Sequence, residues 1–97
     1  MARRTPEKQS KHDRKVEAEA VIFRNQGYSV WADLAGWSKP DIINGHIPDV
    51  IARKWGWEKV VEVETEESVE QDKEQIAAFE RYANSRPNTE FKLVIAY

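Results

Sequence analysis

Two runs of β-forming residues, Pro48 to Arg53 (PDVIAR) and Lys59 to Thr65 (KVVEVET), are separated by only a few residues around Trp55-Gly56-Trp57. So short a connection allows only an antiparallel hairpin, because parallel strands need a crossover of about a dozen residues or more. The second run carries acids inside it. By the two-residue period of a strand, Val61 and Val63 face one way and Val60, Glu62 and Glu64 the other. In the paired hairpin Asp49 and Glu62 fall near the same open end, and Glu64 shares the face of Glu62. Three carboxylates are therefore expected to converge on one edge of a sheet.

The rest of the chain supplies partners for this hairpin. Val16, Ala20 and Phe23 recur at helical spacing, with Val21 and Ile22 beside them, so roughly residues 8–26 read as an amphipathic helix ended by Gly27. Tyr28 to Leu34 reads as a first strand, followed by a loop from Ala35 to Pro48 rich in Gly, Pro, Asn and Asp. Within that loop Asn44-Gly45 signals a type I′ hairpin leading directly into the Pro48 strand. Ser68 is expected to open a second helix, with Asp72, Ile76, Phe79 and Ala83 on one stripe, stopped around Pro87. Phe91 to Tyr97 is a final apolar strand. The expected fold is α/β in the order helix, strand, hairpin, strand, helix, strand, a mixed central sheet flanked by helices. Residues 1–97 read as a single domain, with 1–8 as a flexible basic arm.

Composition excludes several chemistries. Without Cys there is no thiolate metal site and no Cys nucleophile, and two His cannot build a three-histidine centre. Any metal must be held mainly by oxygen. No apolar run reaches the ~20 residues of a membrane span, and the N-terminus lacks the apolar core of a secretory signal, so a cytoplasmic protein without membrane contact is expected. The net charge of −2 conceals an uneven distribution. Residues 1–15 carry six basic side chains against two acids, whereas residues 62–80 carry eight acids against Lys73 alone. The basic segment, Arg3, Arg4, Lys8, Lys11, Arg14 and Lys15, suits a phosphate backbone. Clustered like charges are costly unless neutralised, which a hard divalent cation such as Mg²⁺ does naturally. The competing reading makes the acids a solvated strand face.

The run GHIPDVIA (residues 45–52), then VVEVET (60–65), then KEQIAAF (73–79) resembles the core of the PD-(D/E)xK nuclease superfamily. Within that superfamily it is most similar to archaeal Holliday junction resolvases and related small archaeal and viral nucleases. The resemblance implies a restriction-endonuclease-like fold. It implies that Asp49 and Glu62 are the two metal-binding acids and that the carbonyl of Val63 is a main-chain ligand. Glu64 stands where the family usually has Lys, and would act as base or second metal ligand without replacing the positive charge. Lys73 could stand in for that lysine, the alternative being a solvated helix Lys. Gln75 matches a Gln that faces the site. Resolvases also use a Glu on the first helix. Alignment puts Val16 at that position, which makes Glu17 the candidate ligand, with Glu19 as alternative and His12 one turn earlier facing the same cleft. For each of these a surface role stands beside the functional one. Ser38 and Lys39 match a mobile, DNA-contacting segment.

Of the tryptophans, Trp31 and Trp57 are expected in the core or a dimer interface, and Trp37, in the polar loop, in contact with nucleic acid or a partner. The resulting expectation is a Mg²⁺-dependent endonuclease, with Mn²⁺ as substitute, that hydrolyses phosphodiester bonds in DNA, branched or junction DNA included, and leaves 5′-phosphates. A homodimer is implied, since symmetric cutting of two strands needs two sites. Few residues follow the last strand, so pairing is expected through surfaces other than extensions beyond the core. The alternatives are a catalytically weakened nucleic-acid-binding or partner module on the same fold, and a small adaptor with no nucleic-acid role.

Overall fold

The structure is a computed structural model that describes residues 5–97; Arg3 and Arg4 lie outside the described residues. Helix α1 spans Pro6–Asn25. Thr5 caps it by accepting a bond from the Lys8 amide, and Pro6 occupies the first turn, where its missing N–H costs nothing. Residues 6–8 of the expected arm are therefore this helix's first turn. Gly27 follows the helix at a φ of 88°. Strands β1 (Ser29–Ala32), β2 (Val50–Lys54) and β3 (Trp57–Thr65), helix α2 (Lys73–Asn84) and strand β4 (Thr89–Ala96) complete the chain.

The four strands lie in the order β1-β2-β3-β4. The first two pairings are antiparallel, while β3 and β4 are parallel and joined through α2, which makes the sheet mixed as expected. Lys54 pairs with Trp57, so the hairpin turns on Trp55-Gly56 alone. Both have positive φ, 51° and 84°, the requirement of a type I′ turn. Asn44 and Gly45 also meet that requirement, but they close a single bridge, Ile43 to His46, and do not lead directly into a strand. Pro48 has no N–H to offer a ladder, and β2 begins only at Val50.

Alternation along the strands divides the core between two faces. Val16 and Ala20 of α1 pack on Ala32, Val50, Val61, Val63 and Ala96. On the other face Phe79 of α2 packs on Ile43, Ile51 and Val60, with Trp31, Tyr82 and Phe91 at its margin. The expected first stripe of α1 extends one turn earlier than predicted, to a buried His12. Helix α2 begins five residues later than predicted. Ser68 does not cap it, because its hydroxyl accepts from the Thr65 amide and donates to Glu64, folding residues 66–72 into turns. Phe79 is fully buried, so Phe79→Ala is expected to cost about 3–4 kcal/mol in urea unfolding and to loosen the helix that carries Gln75.

The tryptophans are placed differently from the expectation. Trp31 is half-buried, as predicted for a core residue, but Trp37 is also half-buried, against the α1 face and under the Arg24 guanidinium. Trp57 is 47% exposed and Trp55 is 89% exposed. No helix among the described residues is long and apolar enough to cross a membrane.

Candidate metal centre

Strand β3 is longer than β2, and the site occupies the overhang. The β2–β3 ladder ends at Val50 opposite Val61, whereas β4 continues to pair with β3 through Thr65. Beyond Val50 the side chain of Asp49 takes over where the ladder stops. Its Oδ2 accepts the Val63 amide at 2.8 Å, and its own amide donates to Glu62 Oε1 at 3.3 Å. The Asp49 carbonyl in turn accepts from the Asp33 amide at 2.9 Å. Asp49 and Glu62 are thereby locked together by main-chain geometry.

Glu62 and Glu64 point to the α2 side of the sheet, where the turns after β3 bring Asp72 against them. One carboxylate oxygen from each of Glu62, Glu64 and Asp72 lies within 4.8 Å of the others, and all three residues are buried. Glu64 is fully buried, and Ser68 donates to its Oε1. Gln75 Nε2 donates to Glu62 Oε2. A cleft of about 80 Å³ opens here, lined by Gln9, His12, Asp13, Asp33, Ile47, Asp49, Glu62, Asp72 and Gln75.

Helix α1 closes the cleft with His12. Its Nε2 lies 3.2 Å from Asp49 Oδ2 and its Nδ1 lies 3.0 Å from Asp13 Oδ1. Glu17 is on the exposed side of the helix, beside Trp37 and Leu34, and is not brought to the acids. Glu19 is buried, but it pairs with Lys92 and Lys15 away from them. The helix face that meets the sheet runs through His12, Val16, Glu19 and Ala20, which rotates Glu17 away. Lys73 is exposed and lies 3.4 Å from Glu70, because the buried stripe of α2 runs through Asp72, Ile76 and Phe79 and turns the next residue outward. Lys39 is exposed and bonded to the Leu34 carbonyl at 2.6 Å, next to the exposed Ser38. Lys8 pairs with Glu67, while Lys11, Arg14 and Lys15 line a shallow cleft against the end of β4. The sequence reading places Asp72 only on the stripe of the second helix. An acid leading the buried i, i+4, i+7 series Asp72, Ile76, Phe79 was itself the signal that its carboxylate faces the sheet.

The electrostatics explain what this arrangement can hold. Burial, then the neighbouring Asp49 and Glu64 charges, push the Glu62 carboxyl far up, to about 10. Burial and the facing Asp72 raise Glu64 to about 7, against the opposing bond from Ser68. Among the described residues no Lys or Arg lines the cleft. An all-oxygen, buried acid set without a cationic side chain fits a small hard divalent ion such as Mg²⁺ or Mn²⁺. Each raised carboxyl keeps its proton in the folded chain after the unfolded chain has lost it. Stability is therefore expected to fall as pH rises above the ordinary carboxylate range, until Glu64 ionises near 7 and Glu62 near 10. Melting in EDTA from about pH 5 to about pH 8 should show Tm falling by several degrees. A flat or rising profile would contradict the burial of these acids.

The family model described as AHJR-like, REase_AHJR-like, matches residues 4–97. No match was found among curated proteins or among solved structures.

Proposed function

Because the chain belongs to this restriction-endonuclease-like family of nucleases, we propose that it hydrolyses phosphodiester bonds in DNA with the help of a divalent cation. The observation that carries the reading is the buried cluster of Glu62, Glu64 and Asp72 beside Asp49, where the β3 overhang meets α1 and α2. Restriction-endonuclease-like nucleases usually use a divalent metal, and these acids are the groups that would hold it. When bound, such an ion supplies the Lewis acidity that activates water and offsets charge on the phosphate.

The chain's own residues have separable tasks. Asp49 Oδ2 is committed to the Val63 amide and to His12, so its capacity as a ligand rests with Oδ1. The Val63 carbonyl belongs to the same segment and is the proposed main-chain ligand. Gln75 fixes one oxygen of Glu62, leaving that carboxylate little freedom to rotate. Glu64 completes the oxygen set and offers a carboxylate able to accept a proton from the attacking water. Lys11, Arg14 and Lys15 line one side of α1, where they can meet phosphates, and His12 lies on the same helix. Cleavage leaves a 5′-phosphate and a 3′-hydroxyl. Branched or junction DNA and a paired second copy are the substrate and assembly that the resemblance favours.

The test is cleavage of supercoiled, single-stranded and branched DNA with Mg²⁺ and with Mn²⁺. Wild type is expected to cut, and a folded Asp49→Ala protein to be inert. One observation favours the second reading, a non-catalytic nucleic-acid-binding module. Lys73 is exposed beside Glu70 and directed away from the buried acids, which leaves the position that the resemblance gives to Glu64 without the family's usual positive charge. Wild type that stays folded and inert with both metals, yet binds DNA equally in EDTA, would establish that module instead.

A further inference from the structure

The turn end of the β2–β3 hairpin, opposite the acid cluster, carries a second feature. Trp55 holds a φ of 51° in a turn position where Asn, Asp or Gly would be relaxed, and its side chain is 89% exposed. A bulky residue kept in this conformation and in water is a backbone cost with no return in packing. Trp57, 47% exposed, flanks it. Beside them a groove of about 650 Å³ crosses the end of the sheet, and its lining includes Arg53, Lys54, Trp55, Trp57 and Arg86.

The cations here are arranged over aromatic rings. Lys54 Nζ is 4.8 Å from the Trp55 ring centre and 5.4 Å from that of Tyr28, and it donates to the Gln26 carbonyl. Arg86 lies over Tyr82 at 4.8 Å. Arg53 is neutralised by Glu58 and Asp41, and Lys59 by Glu90. Lys54 and Arg86 form no ion pair among the described residues, so the groove keeps an uncancelled positive charge.

We propose that this hairpin tip and groove bind unpaired nucleotides of a DNA strand, with Trp55 stacking on a base and Lys54 and Arg86 meeting phosphates. Indole rings accept the faces of bases, and those faces are accessible only where a strand is unpaired, as at a flap or branch. Positive charge selects an anionic partner over an apolar surface of a second copy. From Trp57 to Glu62 is five residues of β3, about 17 Å, so the tip is separate from the acid cluster. The proposal deepens the nuclease reading by naming a single-stranded segment in its substrate, yet binding at the tip needs no cleavage.

The experiment is fluorescence anisotropy of a labelled oligothymidylate against the full chain in EDTA at low salt, beside a duplex of equal phosphate count. Wild type is expected to prefer the single strand, with quenching of tryptophan emission. Trp55→Asn, which relaxes the turn, should melt no lower than wild type yet weaken single-strand binding about tenfold, while duplex binding stays unchanged. Trp55→Phe should recover part of the loss. Unchanged single-strand affinity in a folded Trp55→Asn protein overturns the proposal. So does a change in sedimenting mass without a change in DNA affinity, which would assign the tryptophans to a second copy. Loss of cleavage in Asp49→Ala with tip binding intact would separate the two readings.

Discussion

Glu62→Gln is expected to abolish metal-dependent cleavage and, in EDTA near neutral pH, to raise the melting temperature. Both effects follow from one buried carboxyl. Glu62 is 3% exposed, and burial beside Asp49 and Glu64 raises its pKa to about 10. The folded chain thus holds a proton there that the unfolded chain has released, and holding it costs stability at every pH between the two values. Gln has the same shape and no charge. Its Oε1 still accepts from the Asp49 amide, and Gln75 needs only to turn its own amide to present an oxygen to the new Nε2. The stabilisation should be several degrees at about pH 8 and should shrink as pH falls, vanishing only below about pH 4, where Glu62 is protonated in the folded and the unfolded chain alike. Cleavage should drop about a thousandfold or more, since an amide contributes no negative charge to a cation site. Melting curves in EDTA and with Mn²⁺, beside initial cleavage rates, read both arms. A Glu62→Gln protein that melts lower in EDTA, or that cuts at the wild-type rate, would remove Glu62 from the proposed centre.

What could be read from the sequence was whatever depended on a two-residue or a helical period. The facing of Val61 and Val63 against Glu62 and Glu64 follows from strand geometry alone, and the structure buries each set on its own side of the sheet. The Asp49 and Glu62 juxtaposition followed from the short hairpin, and it is present as a main-chain to side-chain bond. Asp72 was harder to see because the approach of residues 66–72 to β3 depends on Ser68 spending its hydroxyl on Thr65 and Glu64. That choice is between two satisfied states of one side chain, a helix cap or a turn, and local pattern does not separate them. Glu17 shows the same difficulty on a helix, where one residue of misalignment turns a side chain to a different face, whereas His12 faces the cleft as expected. The short connection places Trp55 in the hairpin turn, where the structure has it, but its positive φ and its exposure are not legible in the pattern. A bulky residue in a positive-φ turn runs against the preferences by which turns are recognised, and conflicts of this kind occur where function outweighs local stability.

Glu64→Lys is expected to produce the largest change in how the protein depends on cations. Glu64 is completely buried against Asp72 and Glu62, so in the absence of metal three carboxyls share a space that a proton or an ion must neutralise. A lysine ammonium placed there would stand between two carboxylates and supply that neutralisation from within the chain. In EDTA the variant should melt well above wild type, and its stability should no longer fall as pH rises toward about 8, because Glu62 would then ionise next to a fixed positive charge. With Mn²⁺ the order should reverse. Wild type should gain stability by binding the ion, whereas the variant would lack one proposed ligand and carry a like charge, so its affinity should drop about tenfold or more. The longer side chain must also fit a fully buried position, and overpacking there costs about 1–3 kcal/mol. Glu64→Met controls for that cost, having comparable bulk and no charge, so the difference between the Lys and Met variants isolates the electrostatic part. If the two melt together in EDTA at about pH 8, where carboxylates are ordinarily ionised, the cluster does not concentrate negative charge, and its suitability for a divalent cation fails with it.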